Sequence, residues 1–210
     1  MKNHNHSLLL GALAALVGVT FQGLAQSSSA GVRFKTPVGL TYAQGAYDVN
    51  DKLKESLREG GYDVTDDYVW PVGLTLNPRV EFPCGFGLGV TVGPTVFQVV
   101  ERETGHDKDD ELSYIIPLGA FVQYTLLRDG KVSPYLRAGF RFPITGGDNI
   151  KDCTIGAFGA VGVEFYRQKR VAFGFEVGYD SSEVTVTGGP GMAEYKVTPI
   201  GFNVTVFALF

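Results

Sequence analysis

Three features of the sequence predict an all-β fold, an eight-stranded antiparallel up-and-down transmembrane β-barrel. Large apolar residues alternate with small or polar ones along most of the chain, which is the period of a strand. Short and long polar connections follow one another in strict alternation, as they do in a meander of hairpins. Finally, 28 glycines and 12% aromatics coexist with a mean hydropathy of only +0.06, an average that two opposed faces would produce.

The same composition excludes other classes. With 44% hydrophobic residues and a formal charge of −4, the chain is the opposite of a disordered polyelectrolyte. The glycines follow no period of three, which removes collagen. Acids outnumber bases by 22 to 18, which disfavours nucleic acid as a partner.

Residues 1–25 read as an export signal peptide. Lys2 supplies the positive start, Leu8 to Phe21 is an uncharged apolar run, and Gly23-Leu24-Ala25 is a small-residue cleavage pattern. Cleavage is expected between Ala25 and Gln26, leaving residues 26–210 as one barrel domain. A retained helical anchor is disfavoured because the apolar run is short and Gln-Ser-Ser-Ser, not a basic cluster, follows it.

The strands are justified in order. The first, around Arg33 to Ala46, is the least regular. In the second, Trp70, Val72, Leu74, Leu76, Val80 and Phe82 interleave with Gly73, Thr75, Asn77, Arg79 and Glu81. The third lies in the charge-free stretch from Phe82 to Val100, where Phe86, Leu88, Val90 and Val92 alternate with Gly87, Gly89, Thr91 and Gly93; the glycines and prolines there argue against a helix. The fourth sets Ile116, Leu118, Ala120, Val122, Tyr124 and Leu126 opposite Gly119, Gln123 and Thr125. The fifth sets Leu136, Ala138, Phe140 and Phe142 opposite Tyr135, Arg137, Gly139 and Arg141. In the sixth, Ile155, Ala157, Val161, Val163 and Phe165 oppose Thr154, Gly156, Gly162 and Glu164. The seventh opposes Val171, Phe173, Phe175, Val177 and Tyr179 to Ala172, Gly174, Glu176 and Gly178; the eighth opposes Phe202, Val204, Val206, Ala208 and Phe210 to Gly201, Asn203 and Thr205.

Tight turns follow strands two, four and six, at Pro83-Cys84-Gly85, at Arg128-Asp129-Gly130-Lys131 and at Arg167-Gln168-Lys169-Arg170. Longer polar connections occupy about 48–67, 101–112, 146–152 and 180–196. Within such a meander one face of every strand is bulky and apolar, the other small or charged. Eight strands enclose an interior just wide enough for side chains, so the bulky face does not fit inside. Turned outward it meets lipid, and closure satisfies every backbone group as a membrane requires.

At this point the residues resemble the small bacterial outer-membrane β-barrels of the OmpA-like and OmpX-like eight-stranded class. The carriers are the signal peptide, the Pro134-Tyr135-Leu136-Arg137-Ala138-Gly139 and Gly156–Phe165 strands, and the C-terminal Phe202-Asn203-Val204-Thr205-Val206-Phe207-Ala208-Leu209-Phe210. The resemblance implies location in the cell outer membrane and contact with its lipid, a porin-like envelope protein without a cofactor. It also implies an assembly signal at Phe202, Val204, Val206 and Phe210, read by the barrel assembly machinery; Ala208 stands where an aromatic is often found. The family orientation would place the acidic long loops outside the cell and the basic turns in the periplasm.

The candidate functional residues are the inward charges: Arg33, Lys35, Arg79, Arg137 and Arg141 with Glu81, Glu164 and Glu176. A plug of Arg–Glu pairs is expected, since water-filled channels belong to wider barrels. Asn50 to Gly61 can form a short helix, which is marginal alone and is expected to be a solvated, partly helical loop, with capping of the mouth as the alternative. Asp107, Asp109, Asp110 and Glu111 are weak candidates for a hard cation, lacking the spacing of a calcium loop. His106 has no nucleophile and orienting group beside it, so no enzyme is expected. Cys84 and Cys153 fall at opposite ends of the barrel and are expected to be free thiols. The expected function is structural or surface-interacting, through acidic loops that meet an extracellular partner. Narrow-pore transport of small or apolar solutes is the alternative, and a soluble lipocalin-like binding barrel a third.

Overall fold

The computed structural model describes residues 31–93, 96–104, 107–147, 149–167 and 171–210, with residues 63, 65–68, 96–104 and 107–112 described by backbone alone. The signal peptide, its cleavage site at Ala25 and Gln26, and His106 lie outside the described residues.

Eight staves form the barrel. The first is β1 (Arg33–Lys35) with β2 (Pro37–Ala43); the second is β3 (Asp63–Trp70), β4 (Val72–Leu76) and β5 (Arg79–Glu81); the third is β6 (Phe86–Val92) with β7 (Val96–Thr104). Single strands make the others: β8 (Asp107–Thr125), β9 (Val132–Gly146), β11 (Gly156–Phe165), β12 (Ala172–Asp180) and β15 (Gly201–Leu209). Each stave pairs antiparallel with the next. The ring closes where β15 meets β2, from Asn203 opposite Ala43 to Leu209 opposite Pro37. Closure removes the sheet edges around the barrel, which is what lets such a surface sit in hydrocarbon.

The faces are inverted, as the sequence predicts. Phe140, Val206 and Leu40 are 67%, 61% and 60% exposed, and the outward row continues around every stave. Charged and hydroxyl side chains instead lie inside. A contiguous apolar band of that kind on a water-soluble protein would aggregate, and the lipocalin-like alternative needed it turned inward. No helix among the described residues is long and apolar enough to cross a membrane, and the apolar surface is carried by strands.

The long connections differ from the polar loops expected. Helix α1 (Gly45–Glu59) follows the first stave, and β10 (Ile150–Thr154), β13 (Glu183–Thr187) and β14 (Glu194–Val197) build a separate three-stranded sheet in the order β10-β13-β14. The expected loop 101–112 is strand, because β7 and β8 stay paired out to Thr104 opposite Asp107. Nor is α1 solvated. Ala46, Val49, Leu53 and Leu57 are wholly buried and share a core with Ile150, Val184, Val186 and Val197 of the small sheet and with Ile115 of β8. An isolated helix of this length is marginal; a tertiary apolar partner for its i, i+3, i+4 stripe is what holds it. Together α1 and the small sheet form a cap at the long-connection end of the barrel.

At the other end the chain turns tightly. Gly85 takes φ +88°, open to glycine alone without strain, while Leu127 and Tyr166 take φ 50° and 58° despite their side chains.

Candidate functional site

The lumen holds two charge networks. The lower lies against the tight turns, on residues from β1, β5, β11 and two turns. Arg79 and Arg167 both pair with Glu164, and Arg167 also pairs with Glu81. Arg128 Nε donates to Glu81 Oε1 at 3.1 Å, and Lys35 Nζ lies 3.9 Å from Glu164 Oε2. The upper network joins β9 to β12 across β11. Arg137 pairs with Glu176, whose other oxygen accepts the Tyr135 hydroxyl at 2.7 Å. Above them Arg141 Nη1 donates to Asp180 Oδ2 at 2.9 Å. Charges this deeply buried are tolerable only when paired and hydrogen-bonded.

Rings and hydroxyls fill the space between. Phe121 and Phe158 sit 4.8 Å and 4.2 Å from the Arg137 and Arg141 guanidinium groups respectively, within cation–π range. Inward rings also lie on glycines of neighbouring strands: Phe121 over Gly89, Phe158 over Gly139, Tyr135 over Gly162, Phe207 over Gly174. A Cβ at any of these four positions would collide with the ring, so glycine here makes room for an aromatic filling. The hydroxyls of Thr41, Thr75 and Thr205, on three adjacent staves, hydrogen-bond at 2.6 Å each.

Of the residues singled out from sequence, Lys35, Arg79, Glu81, Arg137, Arg141, Glu164 and Glu176 have their side chains in this lumen. Arg33 does not. It stands at the rim, its side chain 41% exposed, and Nη2 donates to Asp129 Oδ1 at 2.8 Å, because β1 ends there against β5. Three members of the networks lie outside the inward set that the sequence predicts. Asp180 falls in the expected 180–196 connection yet continues the inward period of Glu176 and Gly178, a signal present in the sequence. Arg128 and Arg167 were placed in turns; the positive φ at Tyr166 reverses the alternation so that Arg167 points back inside.

Asp107, Asp109, Asp110 and Glu111 lie on β8, paired to β7, with side chains outside the described set. Among the described residues no cluster of His, Cys, Asp and Glu could hold a metal ion. Cys84 is exposed in a turn and Cys153 lies on β10 in the cap; both are free. Phe202, Val206 and Phe210 point outward at 47%, 61% and 51% exposure on the strand that closes the ring, with Val204 between them half-buried.

The cap is polar outside its apolar core. Ser56, fully buried on α1, donates to Ala193 O at 2.6 Å and accepts from Gly188 N–H at 2.8 Å, tying helix to sheet. Lys52 bonds Glu55 at 2.6 Å, and this bond draws the Glu55 carboxyl below its usual value. Tyr195 donates to Glu59 at 3.0 Å; desolvation and that carboxylate push its phenol up to about 12. A cleft of about 640 Å³ runs between α1 and the barrel rim, lined by Asp48, Lys52, Glu55, Tyr179, Lys196 and Phe202 among others.

A closed ring of eight antiparallel staves, apolar outside and charged within, decides the architecture. The chain has the fold of an outer-membrane β-barrel. No family model and no curated protein matches the sequence. Solved structures do match this barrel. The outer membrane protein OprG from Pseudomonas aeruginosa aligns with a TM-score of 0.50 and 11% identity over 86% of this chain and 95% of that one. AlkL, solved in lipid bilayers, aligns at 0.46 and 14% identity over 89% and 92%; Neisserial surface protein A aligns at 0.39 and 11% over 85% and 97%. At 11% identity the likeness to OprG is one of fold alone.

Proposed function

We propose that this chain is a non-enzymatic outer-membrane barrel whose working surface is the cap, with the eight staves as its anchor. The observation that carries this reading is the filling of the barrel: charged side chains and glycine-seated rings occupy the lumen, and a folded helix-and-sheet unit with its own apolar core stands at one end. In this reading the lipid-facing band meets the outer-membrane lipid, and Phe202, Val204, Val206 and Phe210 present the closing strand to the assembly machinery. The acidic long connections at this end face outside and, with the cap, meet an extracellular partner.

Planar-bilayer recording of the refolded full chain tests the anchor role. No discrete conductance is expected, and liposomes carrying the protein should exclude small solutes; steady conductance or solute uptake would replace this reading with narrow-pore transport. That second reading draws on one feature of the wall. An apolar hollow of about 560 Å³ lies over the small residues Ala120, Ala138 and Ala157, between Leu88, Val122 and Phe140, and reaches the lumenal residues Phe121 and Phe158.

A further inference from the structure

The two lumenal networks differ in balance. Above, Arg137 and Arg141 face Glu176 and Asp180, one acid for each base. Below, Lys35, Arg79, Arg128 and Arg167 share only Glu81 and Glu164. Asp129, at the same end, is 73% exposed and already engaged by Arg33 outside the lumen. Two positive charges on the lumen floor therefore have no counter-charge among the described side chains.

Lys35 is the most loosely held of the four cations. The Lys35 side chain is 10% exposed, and its one ion contact is the Glu164 oxygen at 3.9 Å, beyond hydrogen-bond reach. Arg79, whose side chain is 2% exposed, has a buried Nε with no acceptor, as Arg137 and Arg141 also have above, so what sets the floor apart is its excess of charge and the loosely held Lys35. Uncompensated buried cations are costly, and an anion that pairs with them removes that cost.

We propose that the floor of the lumen binds a small inorganic oxyanion of the phosphate class, held by Lys35 with Arg79, Arg128 and Arg167. Guanidinium forks and an ammonium offer many directed donors, which suit several oxygens on one centre better than a spherical halide. Arg128, 12% exposed beside the tight turns, marks the side from which the ion enters. The bound ion would lock the floor of the barrel and make its stability depend on free oxyanion.

The test uses the full chain folded in phosphate-free detergent. Its unfolding temperature is followed by the mobility difference between folded and heated protein on gels, as inorganic phosphate replaces chloride at fixed ionic strength. A saturable rise with phosphate is expected. Lys35→Met removes one excess charge, so it should be at least as stable as the parent without phosphate, and its apparent affinity should fall by about tenfold or more. Lys35→Arg should keep the response, as should Lys52→Met in the cap. A rise that never saturates and is equal in parent and Lys35→Met is a general salt effect and overturns the proposal. So does a Lys35→Met protein that is less stable than the parent yet responds to phosphate normally. Should Lys35→Met not fold, phosphorus NMR of inorganic phosphate with the parent and Lys35→Arg decides: saturable broadening displaced by sulfate supports the site, and its absence overturns it.

Discussion

Arg137 shows how a lumenal residue combines three duties. Its guanidinium neutralises Glu176, covers the faces of Phe121 and Phe158, and, through Glu176, orients the Tyr135 hydroxyl. Arg137→Met should therefore leave Glu176 buried with only a phenol for company and cost about 3–5 kcal/mol in denaturant unfolding from bilayers. Adding Glu176→Gln should recover most of that loss, since it removes the stranded charge; a double variant as unstable as the single one would show that packing, not charge, dominates. At Leu127 the strain is conformational. Its φ of 50° is one that asparagine adopts at little cost, so Leu127→Asn should stabilise the barrel by about 1 kcal/mol in the same assay. Inward positions such as Arg137, Arg141 and Glu176 were legible in the sequence because a strand alternates strictly. Arg167 was not, because one positive φ at the preceding Tyr166 breaks that alternation and nothing in the residue types announces it.

The cap is legible in the sequence only in part: a helix over 50–61 that caps the mouth stands there as an alternative, whereas the three-stranded sheet beneath it does not. Leu53 and Leu57 are spaced for a helix face, but the partners of that face, Ile150, Val184, Val186 and Val197, come from two connections about 90 to 145 residues away in sequence. Separately each segment reads as a polar connection, one of them with a marginal helix; together they bury a core. Leu53→Ala should open a cavity costing about 2–5 kcal/mol within the cap, seen as faster amide exchange along α1, while exchange in β11 and β12 stays unchanged. The Tyr195–Glu59 contact gives the cap a pH signature. The phenol is raised to about 12 in the folded cap, so the contact's contribution is complete below the ordinary phenol value near 10 and is lost as pH rises through about 12. Phenolate absorbance of the folded protein, compared with Tyr195→Phe, should place one tyrosine at that raised value. Glu55 behaves in the opposite sense: its lowered carboxyl supports α1 above the ordinary Glu range, and that support fades as pH falls through the folded value.

At the scale of the whole molecule, the inverted faces predict how the protein responds to substitution by direction alone. Val206→Arg puts a charge on the lipid face and should cost about 2–4 kcal/mol in bilayers, whereas Asn203→Thr, three positions earlier on the inward face of the same strand, should fold and insert normally. Equal effects of the two would contradict the orientation of β15. The sequence by itself determined the eight staves, their faces, the meander order and the tight turns, because each depends on a period of two or on turn residues within a few positions of one another. It also determined that charge would lie within. Only the tertiary structure decided which charges meet, that four cations gather on two carboxylates at the floor, and that three polar connections fold into a cap. Those outcomes depend on the shear between staves and on contacts between distant segments, and neither is written in local pattern.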